Sequence, residues 1–78
     1  MTWTHALLTR HGELVGVARN IHETDHGTFG TAYFIGLAIP EEIYTSLDHF
    51  TIQSLATSAK WYRDFVENEV HSAEMVSG

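Results

Sequence analysis

The fold is decided by the stretch Thr31–Ile39, which reads TAYFIGLAI. Large apolar residues recur at every second position from Tyr33 to Ile39, the spacing that places side chains on one face of a β-strand. Aromatic and β-branched residues, which strands favour, also dominate the stretch. We therefore predict that it forms the central strand of a sheet.

Two further strands are predicted before it. Trp3–Thr9 and Leu14–Ile21 both alternate in the manner of strands, and the residues between them are typical of a hairpin turn because Gly12 accepts a positive φ. The segment His22–Gly30 is polar and contains two glycines, which predicts a connection without secondary structure of its own. Residues 1–39 thus predict a three-stranded antiparallel sheet.

The second half of the chain, residues 40–78, predicts helix. Pro40-Glu41-Glu42 is typical of the start of a short helix, and Asp48 is a suitable N-cap for a longer helix from about His49 to between Val70 and Met75. On a helical wheel, seven residues fall within an arc of about 120°: Ile52, Leu55, Ala56, Ala59, Tyr62, Val66 and Val70. The predicted fold is a single α+β domain over residues 1–78, with the sheet packed on a long C-terminal helix and a short helix before it.

The charge of the chain favours some partners over others. Ten acids against four bases give a formal net charge of −6. Residues 41–78 hold seven of the acids and only two of the bases. Direct nucleic-acid binding requires clustered Lys and Arg, so we expect none, and we expect an acidic half to favour a partner with a basic surface.

The composition also excludes cysteine-dependent chemistry and indicates a cellular compartment. The sequence has no cysteine, which excludes disulfides, thiolate metal sites and cysteine nucleophiles. The longest apolar stretch, Ala32–Ile39, is much shorter than the roughly 20 residues of a membrane span, and the N-terminus lacks a basic n-region. We therefore expect a cytoplasmic protein without a membrane segment.

The segment His22-Glu23-Thr24-Asp25-His26 matches HExxH, the pattern by which zinc metalloproteases hold their metal. That chemistry requires a helix, because only there do two histidines at i and i+4 approach one metal ion. No glycine and third histidine follow at the spacing of the extended motif. Two interpretations stay open: a polar loop, or a zinc site built on His22 and His26.

One side of the predicted long helix carries Asp64, Glu67 and His71. With Lys60 nearby, these side chains would suit holding a cation or transferring a proton. The alternative is a solvated helix face supported by charge pairs such as Arg63 with Glu67.

Trp61 and Phe65 form an aromatic i, i+4 pair outside the main apolar arc, with Phe50 predicted near them. They would either extend the core over residues 40–47 or form an exposed anchor among acidic neighbours. Aromatic centres with charged rims are common in protein–protein hot spots.

In size, acidity and single-domain simplicity, the whole chain resembles the small acidic inhibitors that bacteriophages encode, such as the anti-CRISPR proteins. The resemblance implies a non-enzymatic binding module that acts in the host cytoplasm, without a cofactor, on a partner's basic, nucleic-acid-binding surface. The expected partner-binding residues are carboxylates of the acidic half and two aromatic anchors: Glu41, Glu42, Asp48, Trp61, Asp64, Phe65, Glu67, Glu69 and Glu74.

Two alternatives accompany this prediction. One is a zinc-binding protein or small metallohydrolase that uses His22 and His26. The other is a self-associating structural protein, in which Trp61, Phe65 and a sheet edge form a homodimer interface.

Overall fold

A computed structural model describes residues 3–36 and 41–77 of the chain. The described residues form five strands and one helix. In chain order these are β1 (His5–Leu8), β2 (Leu14–Thr24), β3 (Gly27–Phe34), β4 (Ile43–Ser46), β5 (Thr51–Ser54) and α1 (Lys60–Ser77). The protein is therefore α+β, with one C-terminal helix.

All five strands belong to one antiparallel sheet in the order β4-β3-β2-β1-β5. The prediction of three strands with a short helix before the long one was wrong. The central position belongs to β2 rather than to β3, and β1 pairs with β5, the strand furthest from it in sequence.

The sheet is strongly curved. Its two edge strands, β4 and β5, are joined by only four residues, and these contain a turn in which the Phe50 N–H donates to the Leu47 carbonyl at 3.2 Å. Five strands side by side in a flat sheet would span about 19 Å from edge to edge, since neighbouring strands lie about 4.8 Å apart. A four-residue link with a turn is too short for that distance, so the edges bend toward each other.

Both faces of this curved sheet are covered. On the concave face, Leu7, Ala18 and Ala32 pack against Leu47 of the β4–β5 link, and the Phe34 and Phe50 rings meet at 5.4 Å. On the other face, a second cluster joins the sheet to the helix and the segment before it: Ala6, Val17, Tyr33, Leu55, Val66 and Val70. Successive residues such as Ala6 and Leu7 are therefore both buried.

Local irregularities support the curvature. The β1–β2 register shifts between Leu7 and Leu8, and the β2–β3 register shifts between Arg19 and His22, where Asn20 has a φ of 55°. Such bulges bend a strand and increase its twist. Gly30 lies where a Cβ would come within 3.1 Å of Leu47 Cδ1, so glycine lets the link pack closely on β3.

Three segments differ from the sequence prediction. His22–Gly30 is not a loop: β2 continues to Thr24, Asp25 and His26 form the turn, and β3 starts at Gly27. Residues 43–46 form a strand where the short helix was expected. Pro40, and residues 37–39 of the predicted strand, lie outside the described residues.

The long helix begins at Lys60 rather than near His49. Ile52 and Leu55 had suggested a continuous helical stripe, but Ile52 packs on the concave face and Leu55 packs under the helix. A single helix stripe cannot place its residues on opposite faces of a sheet. Asp48 is accordingly no N-cap.

Candidate functional site

The helix α1 has a buried side and an exposed side. Tyr62, Val66 and Val70 face the sheet. On the opposite side, Trp61 is 72% exposed, Phe65 47% and Met75 69%. We refer to Trp61, Phe65 and Met75 as the outer stripe. Phe50, expected beside them, lies instead within the concave core.

Tyr62 holds the aromatic end of the outer stripe in place. The Trp61 ring meets Tyr62 edge-on at 5.8 Å, and Tyr62 meets Phe65 at 6.5 Å. The Tyr62 hydroxyl is buried and has no hydrogen-bond partner among the described residues. Burial raises the pKa of Tyr62 above its ordinary value, so the phenol stays neutral.

Carboxylates flank the outer stripe. Asp64 accepts a hydrogen bond from Lys60 Nζ at 2.7 Å, and this pair is exposed. On the other flank, Glu69 is exposed and has no ion pair among the described residues. The structure thus brings together four of the predicted partner-binding residues: Trp61, Asp64, Phe65 and Glu69.

The predicted residues before β5 are placed differently. Glu42 pairs with Arg19 of β2, and Glu41 is exposed just before β4. Asp48 accepts hydrogen bonds from the Thr28 N–H at 3.0 Å and the Ser46 hydroxyl at 3.2 Å, so it fastens the β4–β5 link to the sheet. Asp48 therefore has a structural function in addition to any contact with a partner.

Glu67 and Glu74 lie beside a cavity between α1 and the sheet. Its volume is about 380 Å³, and it is lined by Trp3, Val17, Leu55, Val66, Glu67, Asn68, Val70, His71 and Glu74. The cavity combines an apolar floor with three ionisable side chains. Sequence analysis identified Glu67 and His71 as neighbours, but it did not connect them with Trp3, which is more than sixty residues away in the chain.

Arg63 and Lys60 do not neutralise this cavity. Arg63 donates to the carbonyl oxygen of Ser58, not to Glu67 as the sequence had suggested, and Lys60 pairs with Asp64. Arg19 lies with its guanidinium carbon 4.6 Å from the centre of the Trp3 ring and pairs with Glu42. The cavity lining accordingly includes no Lys or Arg among the described residues.

The HExxH segment does not adopt the geometry of a zincin motif. His22 lies in β2, whereas His26 lies in the turn that follows. His22 uses both ring nitrogens: Nδ1 is 2.9 Å from the Asn20 carbonyl oxygen, and Nε2 is 2.9 Å from the Tyr44 hydroxyl. Across residues 3–36 and 41–77, no group of three or more His, Asp or Glu side chains is arranged to hold a metal ion.

His22 also belongs to a row of aromatic rings that the sequence did not reveal. Tyr44 stacks between His22 and Phe29, with 5.7 Å between ring centres on each side. The pairing of β3 with β4 produces this row, and that pairing was missed because β4 was expected to be helical.

Comparisons with protein-family models, with curated proteins and with solved structures found no match to this chain. Within the part of the chain that the structure describes, α1 is not apolar enough to cross a membrane. The geometry and charge of the described residues are therefore what indicate a function.

Proposed function

We propose that this protein is a non-enzymatic binding module whose outer stripe docks in an apolar cleft of a partner protein. The exposure of Trp61 and Phe65 on the side of α1 that faces away from the sheet carries this proposal. Large aromatic side chains contribute most of the binding energy in many interfaces. Leaving two of them in water is costly unless a partner covers them.

The contacts of Trp61 and Phe65 with Tyr62 also support a binding role. Trp61 and Phe65 project from a helix and contact Tyr62, which is anchored on the sheet. Side chains already held in position lose less conformational entropy when a partner binds.

Charge indicates the kind of partner. The chain carries a net charge of −6, and the exposed carboxylate of Glu69 beside the outer stripe has no ion pair among the described residues. A cleft bordered by Lys or Arg would complement this surface and accelerate association at low salt. In the more specific form of the proposal, that basic border otherwise holds nucleic acid, so that binding inhibits the partner as anti-CRISPR proteins inhibit theirs.

Photo-crosslinking tests the proposal directly. The full chain would carry benzoylphenylalanine in place of Trp61, with a matched control bearing it at Glu13, an exposed position at the β1–β2 turn. The chain substituted at Trp61 should crosslink to one protein from cells that naturally produce this chain, whereas the control should not. Crosslinking that is equal at both positions would contradict docking through the outer stripe.

The inhibitor form needs a second measurement. The captured partner, purified with a fluorescent oligonucleotide bound, should release that oligonucleotide when the unmodified chain is added. Glu69→Lys should weaken release, while Glu23→Lys, an exposed carboxylate change on β2, should not. If the partner binds the chain but keeps its oligonucleotide, the protein is still a binding module, but inhibition at a nucleic-acid-binding surface is contradicted.

A second candidate function is self-association. Trp61, Phe65 and Met75 are large apolar side chains on the exposed side of α1, and the outer stripes of two copies would cover each other in a homodimer. Sedimentation at micromolar concentration distinguishes the candidates. A dimer that Trp61→Ala converts to a monomer would favour self-association, and a strictly monomeric chain would contradict it.

A further inference from the structure

We infer that the cavity between α1 and the sheet is a binding site for an alkyl guanidinium or alkyl ammonium group. The cavity shares no residue with the outer stripe, so this inference does not depend on the proposed function. A volume of about 380 Å³ is at the lower end of the range typical of ligand sites. It suits a single extended side chain or a small organic cation.

The floor of the cavity matches an apolar stem. The apolar surface open to the cavity comes from Trp3 and from the edges of Leu55 and Val70, with Val17 and Val66 buried beneath them. An alkyl chain placed against these side chains gains about 25 cal/mol for each Å² of apolar surface removed from water. A strongly hydrated inorganic ion would gain nothing from this floor.

The mouth of the cavity matches a positive head group. Glu67, His71 and Glu74 recur at i, i+4 and i+7 on α1, which places them on one side of the helix. Neither carboxylate forms an ion pair among the described residues. A guanidinium would donate two parallel N–H hydrogen bonds to the two oxygens of a carboxylate.

Trp3 contributes a third element of recognition. Its indole lines the cavity and offers an apolar wall to the alkyl stem, while the Arg19 guanidinium already lies over the ring. Because Arg19 takes the cation–π position at this ring, the head group is held by the carboxylates and not by the indole. An apolar floor, two carboxylates without an ion pair and an indole wall together favour a cation with an alkyl stem over an anion or a sugar.

The test uses butylguanidinium and butylurea, which share a shape and differ in charge. Two indole N–H signals are expected in the NMR spectrum of the full chain, from Trp3 and Trp61, and a Trp61→Phe sample identifies each. Butylguanidinium should shift the Trp3 signal with a Kd on the order of 1 mM, as expected for so small a ligand. The Trp61 signal should not move, and butylurea should bind at least tenfold more weakly.

Variants show which carboxylates bind the cation. The double variant Glu67→Gln, Glu74→Gln should weaken butylguanidinium binding at least tenfold, while Glu13→Gln, which changes an exposed carboxylate outside the cavity, should bind as the native chain does. Melting temperatures would verify that all three proteins fold. An unmoved Trp3 signal at 20 mM, equal binding of butylurea, or unchanged binding in the double variant would each overturn the inference.

A third probe distinguishes the sources of the cation. N-acetyl-arginine methylamide carries the same head group on a peptide backbone. If this compound binds as tightly as butylguanidinium, the inference is supported and the ligand is an arginine side chain of a protein. The protein that binds the outer stripe would be the first candidate to supply that side chain. Binding of butylguanidinium alone would support it with a free small cation as ligand.

Discussion

Replacing Leu47 with alanine tests the architecture most severely. Leu47 is only 1% exposed and packs against Leu7, Ala18 and Ala32 from the short link between β4 and β5. Removing a buried leucine side chain costs about 2–5 kcal/mol, because apolar contacts are lost and a cavity remains. A chain of 78 residues has a total unfolding free energy of roughly 4–12 kcal/mol.

Ile43→Ala is the matched control. Ile43 is 38% exposed at the start of β4, so its loss should cost less than about 1 kcal/mol. In the short helix that the sequence predicted from Pro40 onward, Ile43 and Leu47 would be i, i+4 neighbours on the same face and would be buried alike. The difference between the two variants therefore separates the strand from the helix.

Urea unfolding followed by circular dichroism gives both free energies. For a domain of this size, about 3 kcal/mol corresponds to a fall in melting temperature of roughly 12–24 °C. Gly30 adds a coupling test, because a Cβ there would lie 3.1 Å from Leu47 Cδ1. Gly30→Ala should lower the free energy of unfolding by at least about 0.5 kcal/mol less in the Leu47→Ala variant than in the native chain. Equal costs for the two single variants, with Gly30→Ala strictly additive to Leu47→Ala, would refute the placement of the link.

Three further predictions concern other parts of the fold. Gly27→Ala should destabilise the chain by at least about 1 kcal/mol in urea unfolding, because Gly27 has a φ of 118° and a Cβ there would collide with the Asp48 carboxylate; a neutral result would contradict this turn geometry. Tyr62→Phe should raise stability by about 1 kcal/mol at neutral pH, because it removes a buried hydroxyl without a partner. Burial raises the Tyr62 pKa above 10.0, so native stability should fall as the pH rises above about 10 and the variant should lose less of it; equal losses would argue against burial of the phenol. Zinc should leave the melting temperature unchanged in the native chain and in His22→Ala, since His22 and His26 lie on a strand and a turn; a shift that His22→Ala abolishes would restore the metal hypothesis.

The sequence predicted those features that depend on local patterns. The first hairpin is an example, and Gly12 has the positive φ expected of it. The separation of Trp61 and Phe65 from the buried side of α1 was also visible on the helical wheel, because both positions lie in a real helix. The wheel could not show whether the two side chains are exposed to solvent, because their exposure depends on how α1 packs on the sheet.

Features that depend on long-range packing were missed for physical reasons. Residues 6 and 7, like residues 17 and 18, are buried on opposite faces of the sheet, whereas the sequence predicted a helix on one face only and gave no sign that the β4–β5 link covers the other. Gly27 and Gly30 suggested a loop, but both lie in β3. Gly27 supplies a positive φ beside the turn, and Gly30 makes room for Leu47. The cavity joins Trp3 to the C-terminal helix, a contact that no local pattern encodes.

The most direct test of the central claim is the affinity of the crosslinked partner for two variants measured side by side. Trp61→Ala with Phe65→Ala removes the aromatic anchors of the outer stripe, whereas Tyr44→Ala removes an aromatic side chain that is 62% exposed on the sheet. The first should weaken binding at least about 30-fold, corresponding to roughly 2 kcal/mol, while the second leaves it unchanged. Equal affinities for both variants and the native chain would contradict docking through the outer stripe.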